Sequence, residues 1–167
     1  MELQSLRDLF VHSLQDLYSA EGQLIKALPK MAKKASHEEL QKAFEKHLKE
    51  TEKQKEKLDQ VFELLGEKTG RVKCIAMEGL IEEGNELMKE QANPEVLDAG
   101  LIAAAQKIEH YEIAGYGTAR VYAQQLGEKK VEKLLSEILE EEKKTDEILT
   151  ELAVSSINLE AEEAEEE

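Results

Sequence analysis

The chain has 167 residues, of which 22 are Lys or Arg and 37 are Asp or Glu, so its formal net charge is −15 at pH 7. This length fits one domain with a substantial core, and the negative charge argues against nucleic acid and anionic membranes as direct partners, because phosphate groups are repelled. Cations are the favoured small partners, and two prolines among many Ala, Leu, Glu and Lys favour long helices.

Cys74 is the only cysteine in the sequence. A single cysteine excludes an internal disulfide and is typical of a reducing compartment. The first residues lack the basic-then-apolar order of a signal peptide, and no apolar run approaches the ~20 residues that cross a bilayer. We therefore expect a cytoplasmic protein.

The first two helices are predicted from the spacing of apolar residues and from their end signals. The first covers about residues 5–34, where apolar residues recur at three- and four-residue steps. Ser36 followed by Glu39 predicts a capping box at the start of the second helix. That helix ends near Gly66, and residues 67–71 are expected to form a loop.

Three more helical segments follow along the chain. A short one is predicted over residues 74–91. The stretch Asn93-Pro94-Glu95 favours a helix start, because it combines a side-chain cap, a proline at the first helical position and an acid near the positive end of the dipole. This fourth helix should end at Gly127. The fifth covers residues 128–156.

The pattern predicts an all-α fold, a ferritin-like antiparallel four-helix bundle with a short extra helix in the crossover. Short turns join the first long helix to the second and the fourth to the fifth, so each pair should form a hairpin. We assign residues 1–157 to this bundle. Residues 158–167, which are nearly all acidic or alanine towards their end, are expected to form a disordered tail.

Polar residues interrupt the apolar stripe of each long helix once, near its middle. The interrupting residues are Glu21 in the first helix, His47 with Glu50 or Thr51 and Gln54 in the second, Glu109 and Glu112 in the fourth, and Glu141, Glu142 and Thr145 in the fifth. Antiparallel helices of similar length share their midpoints, so these side chains should meet in one layer. Buried anions need protons, a cation or charged partners.

A pair of metal ions would neutralise such a layer. In the ferritin-like plan, two helices each supply a Glu and two supply Glu-x-x-His. The match is partial, because His47 precedes Glu50 by three residues, Lys53 holds the expected histidine position, and Glu142 is followed by Thr145. The candidate metal ligands are Glu21, His47, Glu50, Glu109, Glu112 and Glu142.

Several stretches of the chain resemble a known family. They are LYSAE at 17–21, HLKET at 47–51, CIAMEGL at 74–80, EHYEIA at 109–114, YGT at 116–118 and EEK at 141–143. Together they resemble the YciF-like bacterial stress-protein family over about residues 6–153. The resemblance implies a rubrerythrin-like homodimer with a di-iron or di-manganese site at the six candidate ligands, and an association with stress responses.

Three functions are compatible with these patterns. The first is a dimetal carboxylate protein that handles iron or peroxide. The second is a non-enzymatic helical stress protein that acts through dimerisation or partner binding and has no bound metal. The third is an adaptor whose acidic tail recruits basic partners. The sequence leaves catalytic activity open.

Overall fold

The fold is described from a computed structural model, which covers residues 2–164, and no strand occurs in that range. The helices are α1 (Leu6–Lys34), α2 (Glu38–Leu65), α3 (Ile75–Leu87), α4 (Pro94–Gln125) and α5 (Lys129–Leu152), followed by a π-helical turn (Ala153–Ile157) and α6 (Asn158–Glu163). The all-α prediction is confirmed. Helices α1 and α2 form one hairpin, α4 and α5 the other, and α3 lies in the crossover between them.

The helix ends follow the local signals of the sequence in most places. Gly66 ends α2 and Gly127 separates α4 from α5, and both adopt positive φ angles, 67° and 76°, that favour glycine. The side chain of Asn93 accepts a hydrogen bond from the backbone N–H of Glu95, and Pro94 is the first residue of α4.

The predicted capping box of Ser36 and Glu39 is wrong. Helix α2 begins at Glu38, with His37 at the N-cap and no side-chain cap bond. Instead, the carboxylate of Asp98 on α4 accepts hydrogen bonds from the backbone N–H groups of Ser36 (2.9 Å) and His37 (2.7 Å). A residue about 60 positions away along the chain therefore satisfies the N–H of Ser36, which the Glu39 side chain would satisfy in a capping box, and also that of His37.

The segment that was expected to begin a disordered tail is helical over residues 158–163. The preceding π-helical turn carries Ile157 into the core, where it is buried with residues of α4, and this contact holds α6 against the bundle. Nε2 of His37 also lies 3.6 Å from Oε1 of Glu160. The last three residues of the predicted tail, 165–167, lie outside the described part of the chain.

The core consists of two apolar clusters separated by a buried polar layer. The upper cluster packs the second half of α1 and the first half of α2 against α3, the first half of α4 and the end of α5. The lower cluster packs the opposite halves of the four long helices. We define the polar layer as the buried residues between the clusters: Glu21, His47, Thr51, Gln54, Glu109, Glu112, Glu142 and Thr145. The structure therefore places most of the stripe interruptions at mid-height inside the bundle, whereas Glu50 and Glu141 are partly exposed.

Helices α1 and α4 approach each other closely next to this layer. A Cβ atom at Gly115 would lie 2.7 Å from Cδ2 of Leu17, which is closer than real Cβ contacts. Glycine at this position therefore allows the α1–α4 approach that brings Glu21 close to α4.

Within residues 2–164, none of the helices has both the length and the apolar character that a membrane span requires.

Candidate metal centre

Four side chains of the polar layer converge on one point. His47 of α2, Glu109 and Glu112 of α4, and Glu142 of α5 each present one ligand atom, and these four atoms lie within 4.8 Å of one another. Glu109 and Glu112 are three residues apart, so they share one face of α4. All four side chains are buried. Three of the four long helices therefore deliver donors to a single site.

Glu21 enters the layer from α1 and lies next to this group. Its Oε1 accepts a hydrogen bond from the hydroxyl of Tyr116, and its Oε2 has no hydrogen-bond partner among the described residues. After burial, the charge of Glu21 is the next influence that raises the pKa of Glu112, so the two carboxyl groups are neighbours in the layer. Glu21 is thus a neighbour of the four converging ligands, and Tyr116 fixes one of its oxygens.

The potential ligand atoms have no hydrogen-bond partners in the described part of the chain. These atoms are both imidazole nitrogens of His47 and both carboxylate oxygens of Glu109, Glu112 and Glu142. Nε2 of His47 lies 2.9 Å from Oε1 of Glu109, but the two groups are not aligned as a hydrogen bond. Burying unpartnered polar atoms is unfavourable, so the site requires a cation or bound protons.

Burial is the largest influence on the pKa values of the carboxyl groups in the layer. It raises the pKa of Glu21 and the pKa of Glu109 to about 8, from a usual value of 4.5. The pKa values of Glu112 and Glu142 are raised well above that usual value, first by burial and then by repulsion from neighbouring carboxylates. Without a cation, these groups therefore retain protons at neutral pH.

The donor set suits a first-row transition metal. Carboxylate oxygens bind hard cations such as Mn²⁺, and imidazole nitrogen extends the preference to iron. The group of four offers one nitrogen and three carboxylates, and Glu21 adds a fourth carboxylate beside it. The residues present therefore fit a carboxylate-rich iron or manganese site.

Of the two candidate ligands outside the group of four, Glu21 lies beside it, whereas Glu50 lies outside the buried polar layer. Its side chain is 29% exposed, and its Oε1 lies 3.4 Å from Nζ of Lys46, one turn earlier on α2. Thr51 and Gln54 occupy the inward positions after His47. The inward face of α2 therefore runs through Thr51, which the sequence left as the alternative to Glu50.

Other polar residues near the layer have roles outside it. Oδ1 of Asp146 accepts a hydrogen bond from Gln106 (3.1 Å), its Oδ2 lies 3.3 Å from Nε2 of the exposed His110, and Lys53 is exposed. Tyr116, which is not among the candidate ligands, contacts the layer directly as a hydrogen-bond donor to Glu21. Its position four residues after Glu112 places both on one face of α4, so the helical spacing did contain that signal.

Comparison with known proteins identifies the family. The family model described as "Domain of unknown function (DUF892)" matches residues 5–162. Over 163 residues the chain is 54% identical to Protein YciF of Escherichia coli K12, with 97% of this chain and 98% of that protein covered. The chain belongs to this family, as the sequence motifs predicted.

Solved structures share the fold. The crystal structure of the E. coli stress protein YciF matches with a TM-score of 0.91 at 54% identity, covering 93% of this chain and 99% of that one. YcfI of Rhodopseudomonas palustris matches with a TM-score of 0.87 at 46% identity, covering 89% and 95%. A protein of Xanthomonas campestris pv. campestris matches with a TM-score of 0.79 at 26% identity, covering 98% and 100%.

Proposed function

We propose that this YciF-like chain is a stress-response protein that binds a pair of iron or manganese ions in its polar layer and handles iron or peroxide there. The observation that carries the proposal is the convergence of buried ligand atoms without hydrogen-bond partners from His47, Glu109, Glu112 and Glu142. A stress role is supported by the 54% identity to YciF, which is described as a stress protein.

Five residues of the polar layer would hold the metal in this proposal. His47, Glu109, Glu112 and Glu142 would supply the converging ligand atoms. Glu21 would add its Oε2, because Tyr116 already occupies Oε1. Glu50 lies outside this set, since it pairs with Lys46 at the edge of the bundle.

A bound pair of redox-active ions supplies one-electron chemistry with oxygen or peroxide. The chain contributes the surroundings of that chemistry. The apolar clusters above and below the layer exclude water, and this strengthens the electrostatic interactions within it. Tyr116 donates its hydroxyl proton in a hydrogen bond to Oε1 of Glu21, which fixes the orientation of that carboxylate beside the ions.

Aerobic Fe(II) oxidation by metal-free protein tests the proposed activity. We expect oxidation faster than in buffer for the wild type and for Glu140→Gln, an exposed control on α5 with the same charge change as the site variant. Glu142→Gln should reduce the rate at least about tenfold, since a ligand is lost. Oxidation by the wild type at the rate of buffer alone would contradict the proposal.

A second candidate function is that of a non-enzymatic helical stress protein without metal. The raised pKa values of the carboxyl groups in the polar layer favour it. Because the pKa values of Glu21 and Glu109 are about 8, protons alone can neutralise these carboxyls at pH 7. The protein would then act through dimerisation or through partners at its surface. Unfolding stability that does not change on adding a chelator to protein as purified, together with tolerance of Glu109→Gln, would support this candidate over the first.

We also propose that the protein is a cytoplasmic homodimer. Cys74 is a buried free thiol, which suits a reducing compartment. Cell fractionation tests the location. Light scattering should give about twice the chain mass of 18.9 kDa, and a mass equal to one chain would contradict the dimer.

A further inference from the structure

A narrow pocket leads from the surface between α2 and α5 to the polar layer. The buried His47 lines the pocket at its inner end. Lys46 and Glu50, which are more exposed, line it towards the surface. Its apolar walls include Phe44, Ala105, Ile148 and Leu149. The cavity volume is about 20 Å³, which is room for about one water molecule. A hydrated cation therefore cannot pass unless it loses water and the side chains around the pocket move.

We propose that Glu50 and Lys46 form a gate through which a divalent cation reaches His47. In this role Glu50 captures the cation at the surface, and Lys46 competes with the cation for the same carboxylate. The inference rests on the proposed metal site, but it assigns Glu50 to uptake and not to the ligand set.

The ion pair has the properties that a gate requires. Nζ of Lys46 lies 3.4 Å from Oε1 of Glu50, and the lysine side chain is 60% exposed. Exposed pairs of this kind are weak, so a divalent cation can displace the lysine. Side-chain rearrangements of such residues occur in picoseconds to nanoseconds, which is fast compared with binding.

The carboxylate of Glu50 also lies near the buried ligands. Its negative charge is among the influences that raise the pKa of Glu109. Asp146 on α5 is the other partly exposed acid with this effect, but it is engaged by Gln106 and His110 and does not line the pocket. Glu50 is therefore the carboxylate that combines surface exposure with a path to His47.

Stopped-flow uptake of Co²⁺ by the metal-free full-length protein tests the gate, because the visible absorption of bound Co²⁺ reports both rate and coordination. Glu50→Gln should slow uptake about tenfold or more, since electrostatic attraction at the mouth is lost, with unchanged final absorbance. Lys46→Met should speed uptake. The matched controls are the exposed α2 variants Glu52→Gln and Lys53→Met, which repeat the charge changes away from the pocket and should keep the wild-type rate.

The remaining outcomes would contradict either the gate alone or the gate together with the metal site. Equal uptake rates for Glu50→Gln and Glu52→Gln would overturn the gate and leave the metal site intact. A reduced amount of bound Co²⁺ or an altered spectrum in Glu50→Gln would show that Glu50 is a ligand, which also overturns the gate. No Co²⁺ uptake by the wild type would overturn the proposed metal site, and the gate with it.

Discussion

The hydroxyl of Tyr116 donates a hydrogen bond to Oε1 of Glu21 in the middle of the bundle, where both side chains are fully buried. Glu109, Glu112 and Glu142 receive no comparable bond from the described residues. The layer thus contains one carboxylate that accepts a hydrogen bond from another side chain and three that require protons or a cation. This difference gives each residue of the layer a distinct expected response to mutation.

Tyr116→Phe should destabilise the metal-free protein by about 1–2 kcal/mol, because it removes the donor and leaves a buried carboxyl oxygen unpaired. Urea unfolding measures the difference. Tyr122→Phe, a change at a half-buried tyrosine beside the lower cluster, is the control and should change stability by less than about 0.5 kcal/mol. Equal effects of the two substitutions would show that the Tyr116 hydroxyl has no special role.

The metal-free protein should lose stability as pH rises from about 5 to 8. In the folded state the pKa values of Glu21 and Glu109 are about 8, whereas the usual value is 4.5. Between these values the folded state binds more protons than the unfolded state, so raising the pH favours unfolding, by about a few kcal/mol for each of the two groups. Urea unfolding in chelator at several pH values checks this, and stability that increases across the interval would contradict it.

Glu142→Gln should stabilise the metal-free protein at pH 9 and weaken metal binding. Burial and Glu109 raise the pKa of Glu142, so at high pH the folded state must either bury its charge or keep its proton, and both are unfavourable relative to the unfolded state. The amide cannot ionise and removes this cost, so the free energy of unfolding should rise by about 1 kcal/mol or more. Metal affinity should fall at least about tenfold. Thermal unfolding and Mn²⁺ titration measure the two effects, with the exposed Glu140→Gln as the control. Loss of stability with unchanged affinity would contradict the assignment.

Ser19→Ala should weaken the attachment of the start of α3 to α1. Oγ of Ser19 accepts a hydrogen bond from the backbone N–H of the buried Cys74 at the start of α3 (2.9 Å). Losing this acceptor should cost about 1–3 kcal/mol and speed hydrogen exchange in α3. Ser13→Ala is the control, because the Ser13 hydroxyl only bonds the carbonyl of Leu9 within α1. Exchange in α3 that matches the wild type would exclude this anchoring role.

The helices and the polar layer followed from the sequence because both depend on local periodicity. The step from Leu17 to Leu24 places Glu21 inside, and the same spacing applies to Glu109, Glu112 and Glu142. Gly66 and Gly127 likewise end their helices through local backbone geometry.

Other features depended on contacts that local patterns do not contain. After His47, a step of three residues leads to Glu50 and a step of four leads to Thr51, and both steps continue a helical stripe. The choice of Thr51 as the inward residue therefore depends on how α2 packs in the bundle. The start of α2 was misjudged because Asp98 of α4 supplies the acceptor. The acidic composition of residues 158–163 suggested disorder, but Ile157 anchors the segment to the core.

The metal content of protein purified without chelator tests the central claim most directly. We predict about two iron or manganese ions per chain for the wild type, as in other two-metal carboxylate bundles, and loss of most of this metal in the double variant Glu109→Gln/Glu112→Gln. Fewer than about one ion per chain in the wild type, or equal content in the double variant, would contradict the claim that the polar layer is a two-metal site.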